Sequence, residues 1–210
     1  MHTAEVLSIL HEVGAVLTES HFVYTSGKHG AAYVNKDAIY PHTGHVARLC
    51  EALATPFATA AVDTVAGPAV GGVILAQWTA RHLSQMSGRE VVACFAEERV
   101  AEDGAKTRYF GRGYERFITG KRVLIVEDIL TTGGSAKQVV EAVRACGGEA
   151  VAVSALCNRG DVRPADIGDI PLNALIALTL QAWDAADCPM CKRGVPINTT
   201  VGKGKSLSKL

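Results

Sequence analysis

The sequence lacks an excess of charge of either sign, and it lacks long hydrophobic runs. Its 210 residues contain 21 lysines and arginines against 21 aspartates and glutamates, so the formal net charge is zero. Without a basic surplus there is no general attraction for a nucleic-acid backbone, so we expect no nucleic-acid partner. No apolar run reaches the roughly 18–20 residues that span a bilayer, and the acid in the start MHTAEVLSILHEVG is untypical of a secretory signal. We therefore expect a soluble, cytoplasmic protein with no membrane partner.

Cysteine is scarce, and its pattern predicts no disulfide framework. Six cysteines, at 50, 94, 146, 157, 188 and 191, mostly stand alone in apolar segments, as buried thiols do in reducing compartments. Only CPMC at 188–191 has the spacing of a zinc or redox site. A structural zinc site needs a second ligand pair, and Cys146 and Cys157 stand at no recognised spacing from it. We therefore favour a reduced surface turn there and predict no protein-held metal site.

Two nucleotide-binding motifs are absent as well. The Gly-Lys-Ser at 204–206 has Thr199 where a P-loop requires its first glycine. The dinucleotide fingerprint G-x-G-x-x-G follows no predicted strand. Any phosphate site in this chain must therefore be of another kind.

Hydrophobic periodicity predicts an α/β fold, a parallel sheet flanked by helices, with a small N-terminal cap. The first stretch, 1–43, combines a helix over 3–17 with a hairpin that turns at Ser26-Gly27. The second, 44–187, is the α/β core, and an irregular tail follows at 188–210. In the core we predict helices over 44–60, 71–88 and 134–148, and strands over 62–67, 90–96, 121–128 and 149–158. Ligands of such sheets bind beyond the carboxyl ends of the strands, so we expect functional residues just after Val65, Phe95, Val126 and Leu156.

A polar stretch over about 97–120 separates two strong strands. It is rich in charge and glycine. A connection of this length inside a compact domain is typically functional or mobile.

The segment VLIVEDILTTGGS, residues 123–135, runs from a buried strand into two acids and then into a loop of threonines, glycines and a serine. A loop of this kind before a helix offers backbone N–H groups, hydroxyls and the positive end of the helix dipole to a phosphate. Carboxylates beside a phosphate suit either Mg²⁺ or the hydroxyls of a sugar. The alternative is an ordinary helix cap by Ser135 or Thr132, with Glu127 and Asp128 solvated at the strand end.

This segment resembles the phosphoribosyl-pyrophosphate motif of the type I phosphoribosyltransferases. The resemblance implies that Glu127 and Asp128 face the ribose hydroxyls. It also implies a 5′-phosphate site made by Thr131, Thr132, Gly133, Gly134 and Ser135. AGPAVGGV at 66–73 is similar to the family's second loop, which places Ala69, Val70 and Gly71 at the pyrophosphate. From spacing alone, that segment is equally a tight strand-to-helix turn.

Two further segments resemble the orotate branch of the family. FVYTSGKHGAAYVN at 22–35 matches its hairpin, and ALCNRGD at 155–161 matches the segment that holds the pyrimidine carboxylate. The resemblance implies an orotate site formed by Lys28, Tyr33, Thr131 and Arg159. An arginine suits that role because its planar fork pairs bidentately with a carboxylate. Without the resemblance, Lys28 is a solvated hairpin lysine, Tyr33 an ordinary strand aromatic and Arg159 a surface arginine.

The polar stretch departs from the family pattern. Glu97 and Glu98 stand where the orotate branch carries arginine and lysine, and basic residues follow at Arg99, Lys106, Arg108 and Arg112. The resemblance implies a closing lid over the pyrophosphate, and we assign catalytic roles to Glu127, Asp128, Arg99 and Lys106. It also implies Mg²⁺ held mainly through the substrate, and a homodimer.

The expected activity is the transfer of ribose 5-phosphate from phosphoribosyl pyrophosphate to orotate, giving orotidine 5′-monophosphate and pyrophosphate. One alternative is a transferase for a purine or another pyrimidine base. Another is a non-catalytic regulator that senses phosphoribosyl pyrophosphate, which the glutamates at 97–98 favour. The last three residues, Ser208, Lys209 and Leu210, spell a peroxisomal address, which we interpret as a chance ending.

Overall fold

The computed structural model of the chain describes residues 1–24, 26–178 and 180–204, in two compact units. The core unit comprises Met1–Val6 and His42–Leu178, and the small unit comprises Leu7–Pro41 and Thr179–Leu210. The small unit thus joins most of the first predicted stretch, 1–43, with the last, 188–210. None of the described helices is long and apolar enough to cross a membrane.

The regular elements are short in the small unit and long in the core unit. The helices are α1 (Thr3–Glu12), α2 (Thr43–Ala54), α3 (Gly71–Ser87), α4 (Gly134–Ala145) and α5 (Pro189–Lys192). The strands are β1 (Val16–Leu17), β2 (Phe22–Val23), β3 (His29–Gly30), β4 (Tyr33–Val34), β5 (Thr64–Pro68), β6 (Val92–Val100), β7 (Lys106–Tyr109), β8 (Arg122–Leu130), β9 (Glu149–Asn158) and β10 (Leu172–Ala177).

The core unit is a six-stranded sheet in the order β10-β9-β8-β5-β6-β7. Its strands run parallel except for β7, which pairs with β6 in the antiparallel direction. Helix α3 packs against β5 and β6, and α4 packs against β8. The centre of β8, residues 123–126, is fully buried, and burial of each large aliphatic side chain contributes about 1.5–3 kcal/mol. The prediction of an α/β fold with a mainly parallel, helix-flanked sheet is confirmed.

Three details of the predicted core were wrong. Strand β8 does not stop at the two acids: it continues to Leu130, because Ile129 and Leu130 still pair with Cys157 and Asn158 of β9. Strand β10 was not predicted, and it forms one edge of the sheet beside β9. The first predicted core helix ends at Ala54, and a 3₁₀ turn over Thr55–Phe57 follows it.

The polar stretch is also more regular than its composition indicates. Strand β6 extends to Val100, and β7 returns along it, so that Glu98 lies opposite Arg108 and Val100 lies opposite Lys106. Opposite charges directly across an antiparallel pair stabilise it. The polar stretch therefore begins as a β-hairpin, which we call the 97–109 hairpin.

The small unit is built around the predicted N-terminal hairpin. Strands β2 and β3 are antiparallel, and the turn at Ser26-Gly27 is confirmed, with Gly27 at φ 85°. The helix predicted to reach Leu17 ends at Glu12, and the positive φ of Gly14 redirects the chain into β1, which pairs with β4. The C-terminal segment lies along the hairpin: Asn198 N–H donates to the His21 carbonyl (2.7 Å). The sequence Ser208-Lys209-Leu210 lies outside the described residues.

Candidate active site at the carboxyl end of β8

The loop between β8 and α4 is shaped by a glycine that no other residue can replace without strain. Gly133 is the N-cap of α4 and has a φ of 76°. A Cβ atom at this position would lie 2.9 Å from both Val162 Cγ1 and Ile167 Cγ2. The left-handed backbone and the close approach both require glycine. The loop is therefore held in one conformation against the segment that follows β9.

This loop presents an uncapped helix N-terminus to a cavity. Among the described residues, no side chain caps α4 in the usual manner; the Thr132 hydroxyl only accepts a 3.3 Å hydrogen bond from Gly134 N–H. The N-cap residue is therefore Gly133 rather than Ser135 or Thr132, and Thr132 contributes a single long hydrogen bond from the residue before it. A cavity of about 210 Å³ is lined by residue 127 and residues 129–136. The amides of the first helical turn and the helix dipole make such a cavity suitable for an anion.

The two acids lie inside β8 and are almost completely buried. Glu127 is 6% exposed and Asp128 is 4% exposed. The Asp128 N–H donates to Glu127 Oε1 (3.1 Å), and the Ile129 N–H donates to Asp128 Oδ1 (2.7 Å). Adjacent side chains of a strand point to opposite faces. In agreement, Glu127 lines the cavity, whereas Asp128 is not among the described residues that do so.

The second predicted loop lies between β5 and α3. Its glycines allow strand and helix to touch: a Cβ at Gly67 would lie 2.6 Å from the Gly72 carbonyl oxygen. The tight strand-to-helix turn is thus present. Within it, the peptide bond between Ala69 and Val70 is cis, and the Val70 side chain is 80% exposed. The predicted residues Ala69, Val70 and Gly71 therefore stand at the carboxyl end of β5, the strand next to β8.

Arg108 of β7 connects the two loops, although its place in the sequence indicates no specific role. Its guanidinium donates to the Ala69 carbonyl (3.2 Å) and makes a longer contact with the Ser135 hydroxyl (3.5 Å). Its side chain is only 10% exposed, and its Nε has no hydrogen-bond partner among the described residues. A largely buried guanidinium that contacts both loops is a candidate for binding phosphate. The signal that could have identified Arg108 is the pairing of residues 98 and 108 in a hairpin, which was not predicted from the sequence.

The acids and bases of the 97–109 hairpin neutralise each other. Lys106 Nζ lies 3.0 Å from Glu98 Oε1, and this hydrogen bond is the main cause that lowers the pKa of Glu98. The Arg112 guanidinium lies 2.8 Å from Glu97 Oε1. Arg99, predicted to be catalytic, lies with its guanidinium 4.3 Å from the centroid of the Tyr109 ring. The Lys106 and Arg112 side chains are more than half exposed, so solvent screens these ion pairs and they break easily.

The structure brings Arg159 and Thr131 together. The Arg159 guanidinium donates to the Thr131 hydroxyl (3.0 Å). The N–H groups of Arg159 and Gly160 both donate to the Leu130 carbonyl, at 2.8 and 3.2 Å. A Cβ at Gly160 would collide with the Thr131 backbone, so this contact requires glycine. A guanidinium therefore stands at the rim of the cavity.

The other two predicted orotate residues belong to the small unit. Lys28 follows the hairpin turn, and its ammonium lies 3.8 Å from Asp184 Oδ2, both side chains being exposed. Tyr33 lies in β4, with its ring centroid 5.7 Å from that of Phe22. Neither contact fixes a ligand role by itself.

Comparison with known proteins gives a consistent picture. Residues 36–170 match the family described as the phosphoribosyl transferase domain. The orotate phosphoribosyltransferase of Caldanaerobacter subterraneus subsp. tengcongensis is 36% identical, and the match covers 94% of this chain and 96% of that protein. The Thermotoga maritima protein of the same name is 37% identical, with coverages of 95% and 98%.

Solved structures agree at the level of the fold. A crystal structure of Mycobacterium tuberculosis orotate phosphoribosyltransferase in complex with 5-phospho-α-D-ribosyl 1-diphosphate superimposes with a TM-score of 0.62 at 22% identity, and it covers 84% of this chain and 96% of that one. At this identity the likeness concerns the fold alone. From the domain match and the curated relatives together, the chain belongs to the phosphoribosyltransferase family and, within it, to the orotate phosphoribosyltransferases.

Proposed function

We propose that this protein transfers ribose 5-phosphate from phosphoribosyl pyrophosphate to orotate, giving orotidine 5′-monophosphate and pyrophosphate. The observation that carries the proposal is the cavity at the end of β8, where an uncapped helix N-terminus adjoins the buried carboxylate of Glu127. The curated relatives that match nearly the whole chain have this activity in their names. A phosphorylated sugar needs both features of the cavity, because its phosphate is an anion and its hydroxyls donate hydrogen bonds.

The 5′-phosphate is proposed to occupy the loop of residues 131–135. Its oxygens would accept hydrogen bonds from the amides of the first turn of α4 and from the hydroxyls of Thr131, Thr132 and Ser135. Glu127 lines the same cavity and would accept from a ribose hydroxyl. Asp128 is not among the described residues that line the cavity, so its proposed contact with the ribose requires a local rearrangement.

The pyrophosphate is proposed to lie between the two loops, against Ala69, Val70, Gly71 and the Arg108 guanidinium. A divalent cation fits this arrangement, since phosphate and carboxylate oxygens are the ligands Mg²⁺ prefers. The carboxylates near the cavity do not form a group of three possible ligands among the described residues, so Mg²⁺ would be held mainly by the substrate. When bound, Mg²⁺ would neutralise charge on the pyrophosphate.

The chemical step is a substitution at C1 of the ribose. The bond from C1 to the pyrophosphate oxygen breaks, and the oxygen leaves with the electron pair. The bond from C1 to the orotate nitrogen forms, and the proton of that nitrogen passes to an oxygen of the departing pyrophosphate. Positive charge develops at C1, so catalysis rests on positioning and charge stabilisation rather than on a covalent enzyme intermediate. Arg99 and Lys106 of the hairpin are proposed to neutralise the departing pyrophosphate once their present partners release them.

From the resemblance to the orotate branch, orotate is proposed to bind Lys28, Tyr33, Thr131 and Arg159. A transferase for another base and a non-catalytic sensor are the rivals. The Glu97 and Glu98 carboxylates favoured a sensor, but their pairing with Arg112 and Lys106 removes much of that argument.

The test is to incubate the protein with phosphoribosyl pyrophosphate, Mg²⁺ and a panel of bases, and to identify any nucleotide formed. Product from hypoxanthine or uracil as readily as from orotate would contradict the proposal, as would no product at all.

Removal of both carboxylates of β8 is expected to weaken the reaction. The double variant Glu127→Gln/Asp128→Asn should lose at least about tenfold in kcat/KM for phosphoribosyl pyrophosphate, about 1.4 kcal/mol, because neutral amides bind sugar hydroxyls and cations less strongly. Steady-state kinetics and a thermal melt measure this. The control is Glu115→Gln/Glu141→Gln, which removes two exposed charges outside the cavity. Equal kinetics in the two double variants would assign the acids a purely structural role.

Substrate is expected to protect the 97–109 hairpin. Its ion pairs are exposed and its tip has few buried contacts, so its amides should exchange quickly without ligand. Binding of phosphoribosyl pyrophosphate with Mg²⁺ should slow exchange over 97–109 by at least about tenfold. Hydrogen exchange followed by mass spectrometry measures the difference, with α2 as the internal control. Equal exchange with and without ligand would remove the lid from the mechanism.

The resemblance to the orotate branch also leads us to propose a homodimer. Light scattering coupled to size-exclusion chromatography distinguishes a dimer from the 22.1 kDa monomer.

A further inference from the structure

The small unit contains a cluster of metal-ligand side chains that plays no part in the proposed reaction. His21, His29, Cys188 and Cys191 each offer one ligand atom, and these four atoms lie within 4.8 Å of one another. His21, His29 and Cys188 are buried, and Cys191 is exposed. The prediction of a reduced surface turn at 188–191 is therefore wrong for Cys188, which is 0% exposed. The second ligand pair that the sequence analysis sought consists of histidines.

The β2–β3 hairpin places the two histidines side by side. His29 pairs with Val23, so His21, two residues before Val23, is its diagonal neighbour on the same face. The His21 Nε2 and His29 Nδ1 atoms are 2.7 Å apart. The two ring nitrogens therefore point into the same space.

The two cysteines complete the group from the C-terminal segment. Cys188 precedes the single turn of α5, and Cys191 lies within it. Cys188 Sγ lies 3.6 Å from His21 Nε2, and Cys191 Sγ lies 3.3 Å from His29 Nδ1 and 3.7 Å from His21 Nε2. A tetrahedral Zn²⁺ with Zn–N and Zn–S bonds of about 2.0–2.3 Å requires N–S separations of about 3.5 Å. The observed N–S separations match that geometry, and the two ring nitrogens, now 2.7 Å apart in a hydrogen bond, need only separate to about 3.3 Å for an ion to take the place of that bond.

Further hydrogen bonds orient the four ligand residues. The His21 Nδ1 lies 2.8 Å from the Val195 carbonyl oxygen; the carbonyl can only accept, so Nδ1 carries the proton and Nε2 is left as the ligand atom. The backbone of His29 exchanges two 2.8 Å hydrogen bonds with Trp183. The turn after Cys188 is closed by Lys192 N–H donating to the Cys188 carbonyl (3.1 Å). Each ligand thus sits on backbone that is already fixed.

We propose that His21, His29, Cys188 and Cys191 form a closed structural Zn²⁺ site that fastens the C-terminal segment to the β2–β3 hairpin. Two thiolates and two imidazoles in a tetrahedron are typical of structural zinc, and four protein ligands leave no position for a substrate. The site would stabilise a unit that has little regular structure. Its described strands are only two residues long, and small units commonly need a metal or a disulfide for stability. It also fixes the backbone next to Lys28.

Metal content tests the proposal directly and independently of transferase activity. The full chain, expressed in zinc-containing medium and freed of any affinity tag, should contain about one zinc ion per chain by plasma mass spectrometry. Cys191→Ser should lower that content at least about fivefold, because one of four ligands is lost. The matched control is Cys146→Ser, a half-buried thiol of the core unit, which should keep its zinc.

Loading the wild-type protein with cobalt gives a second test, which does not require any variant to fold. Wild-type protein stripped with a chelator and reloaded with Co²⁺ should show the strong visible bands of a tetrahedral thiolate site, and Zn²⁺ should displace them. The stripped protein should melt at least about 5 °C lower, because a ligand that binds only the folded state stabilises it. Wild-type protein with less than about 0.1 zinc per chain after reloading, or with a Cys188–Cys191 disulfide by thiol titration, would overturn the proposal.

Discussion

Replacement of Arg159 by alanine is expected to lower kcat/KM for orotate by about 30- to 800-fold, a loss of about 2–4 kcal/mol in transition-state stabilisation. Orotate carries a ring carboxylate that uracil lacks. Arg159 stands at the cavity rim with its guanidinium on the Thr131 hydroxyl, where a planar fork can pair with that carboxylate. Without it, the carboxylate is left unpaired in a partly desolvated site.

The measurement is steady-state kinetics with each substrate varied in turn. Affinity for phosphoribosyl pyrophosphate should barely change, because a different loop holds that substrate. Arg163→Ala is the matched control: this neighbouring guanidinium is exposed and pairs with Asp161 (2.9 Å), and its loss should leave both substrates unaffected. Lys28→Ala should act on orotate in the same direction but more mildly, since an ammonium binds as a point charge. Normal orotate kinetics in Arg159→Ala would rule this assignment out.

The sequence was sufficient to predict the central sheet and the loop between β8 and α4, because both depend on local patterns. Buried apolar runs alternating with helical periodicity predict β5, β6, β8 and β9, and the loop glycines mark where β8 gives way to α4. The edges of the sheet were harder to predict. Strand β10 is only partly buried, and β7 is a charged four-residue strand whose stability comes from cross-strand pairing with β6.

Residues that act through distant contacts escaped the sequence analysis. Arg108 looks like any other base of a polar stretch, and only the β6–β7 pairing places it between Ala69 and Ser135. The zinc ligands were missed for a similar reason. His21 and His29 are separated by a hairpin turn, and Cys188 lies more than 150 residues away, so no spacing rule joins them. CPMC alone was the available signal, and a search for histidines paired across a hairpin would have completed it.

Loss of the Arg108 guanidinium is expected to reduce kcat/KM for phosphoribosyl pyrophosphate by about 30- to 150-fold, about 2–3 kcal/mol, since hydrogen bonds to charged groups contribute about 1.5–3 kcal/mol. Arg108→Ala removes a largely buried cation from between the loops proposed to hold the pyrophosphate and the 5′-phosphate. The effect should fall on KM for phosphoribosyl pyrophosphate, whereas Arg159→Ala should act on orotate. The two variants should therefore raise KM for different substrates.

Arg108→Lys separates charge from geometry. A lysine keeps the cation but lacks the fork that reaches both Ala69 and Ser135, so it should recover only part of the lost affinity. Arg116→Ala is the matched control, because that guanidinium stacks on Phe117 at 4.6 Å and has no proposed ligand. Thermal melts of all three variants are needed, since Arg108 also connects two loops of the free protein.

The melts decide between a binding and a structural role for Arg108. If the guanidinium only fastens the hairpin to the loops, Arg108→Ala should melt at a lower temperature, while the KM values for both substrates stay unchanged at temperatures below the melt. If it binds phosphate, a folded variant should keep its weaker affinity for phosphoribosyl pyrophosphate at every temperature below the melt, with KM for orotate unchanged. Arg108 Nε is buried and has no hydrogen-bond partner among the described residues. A phosphate bound between the two loops would supply that partner, so we expect the second result.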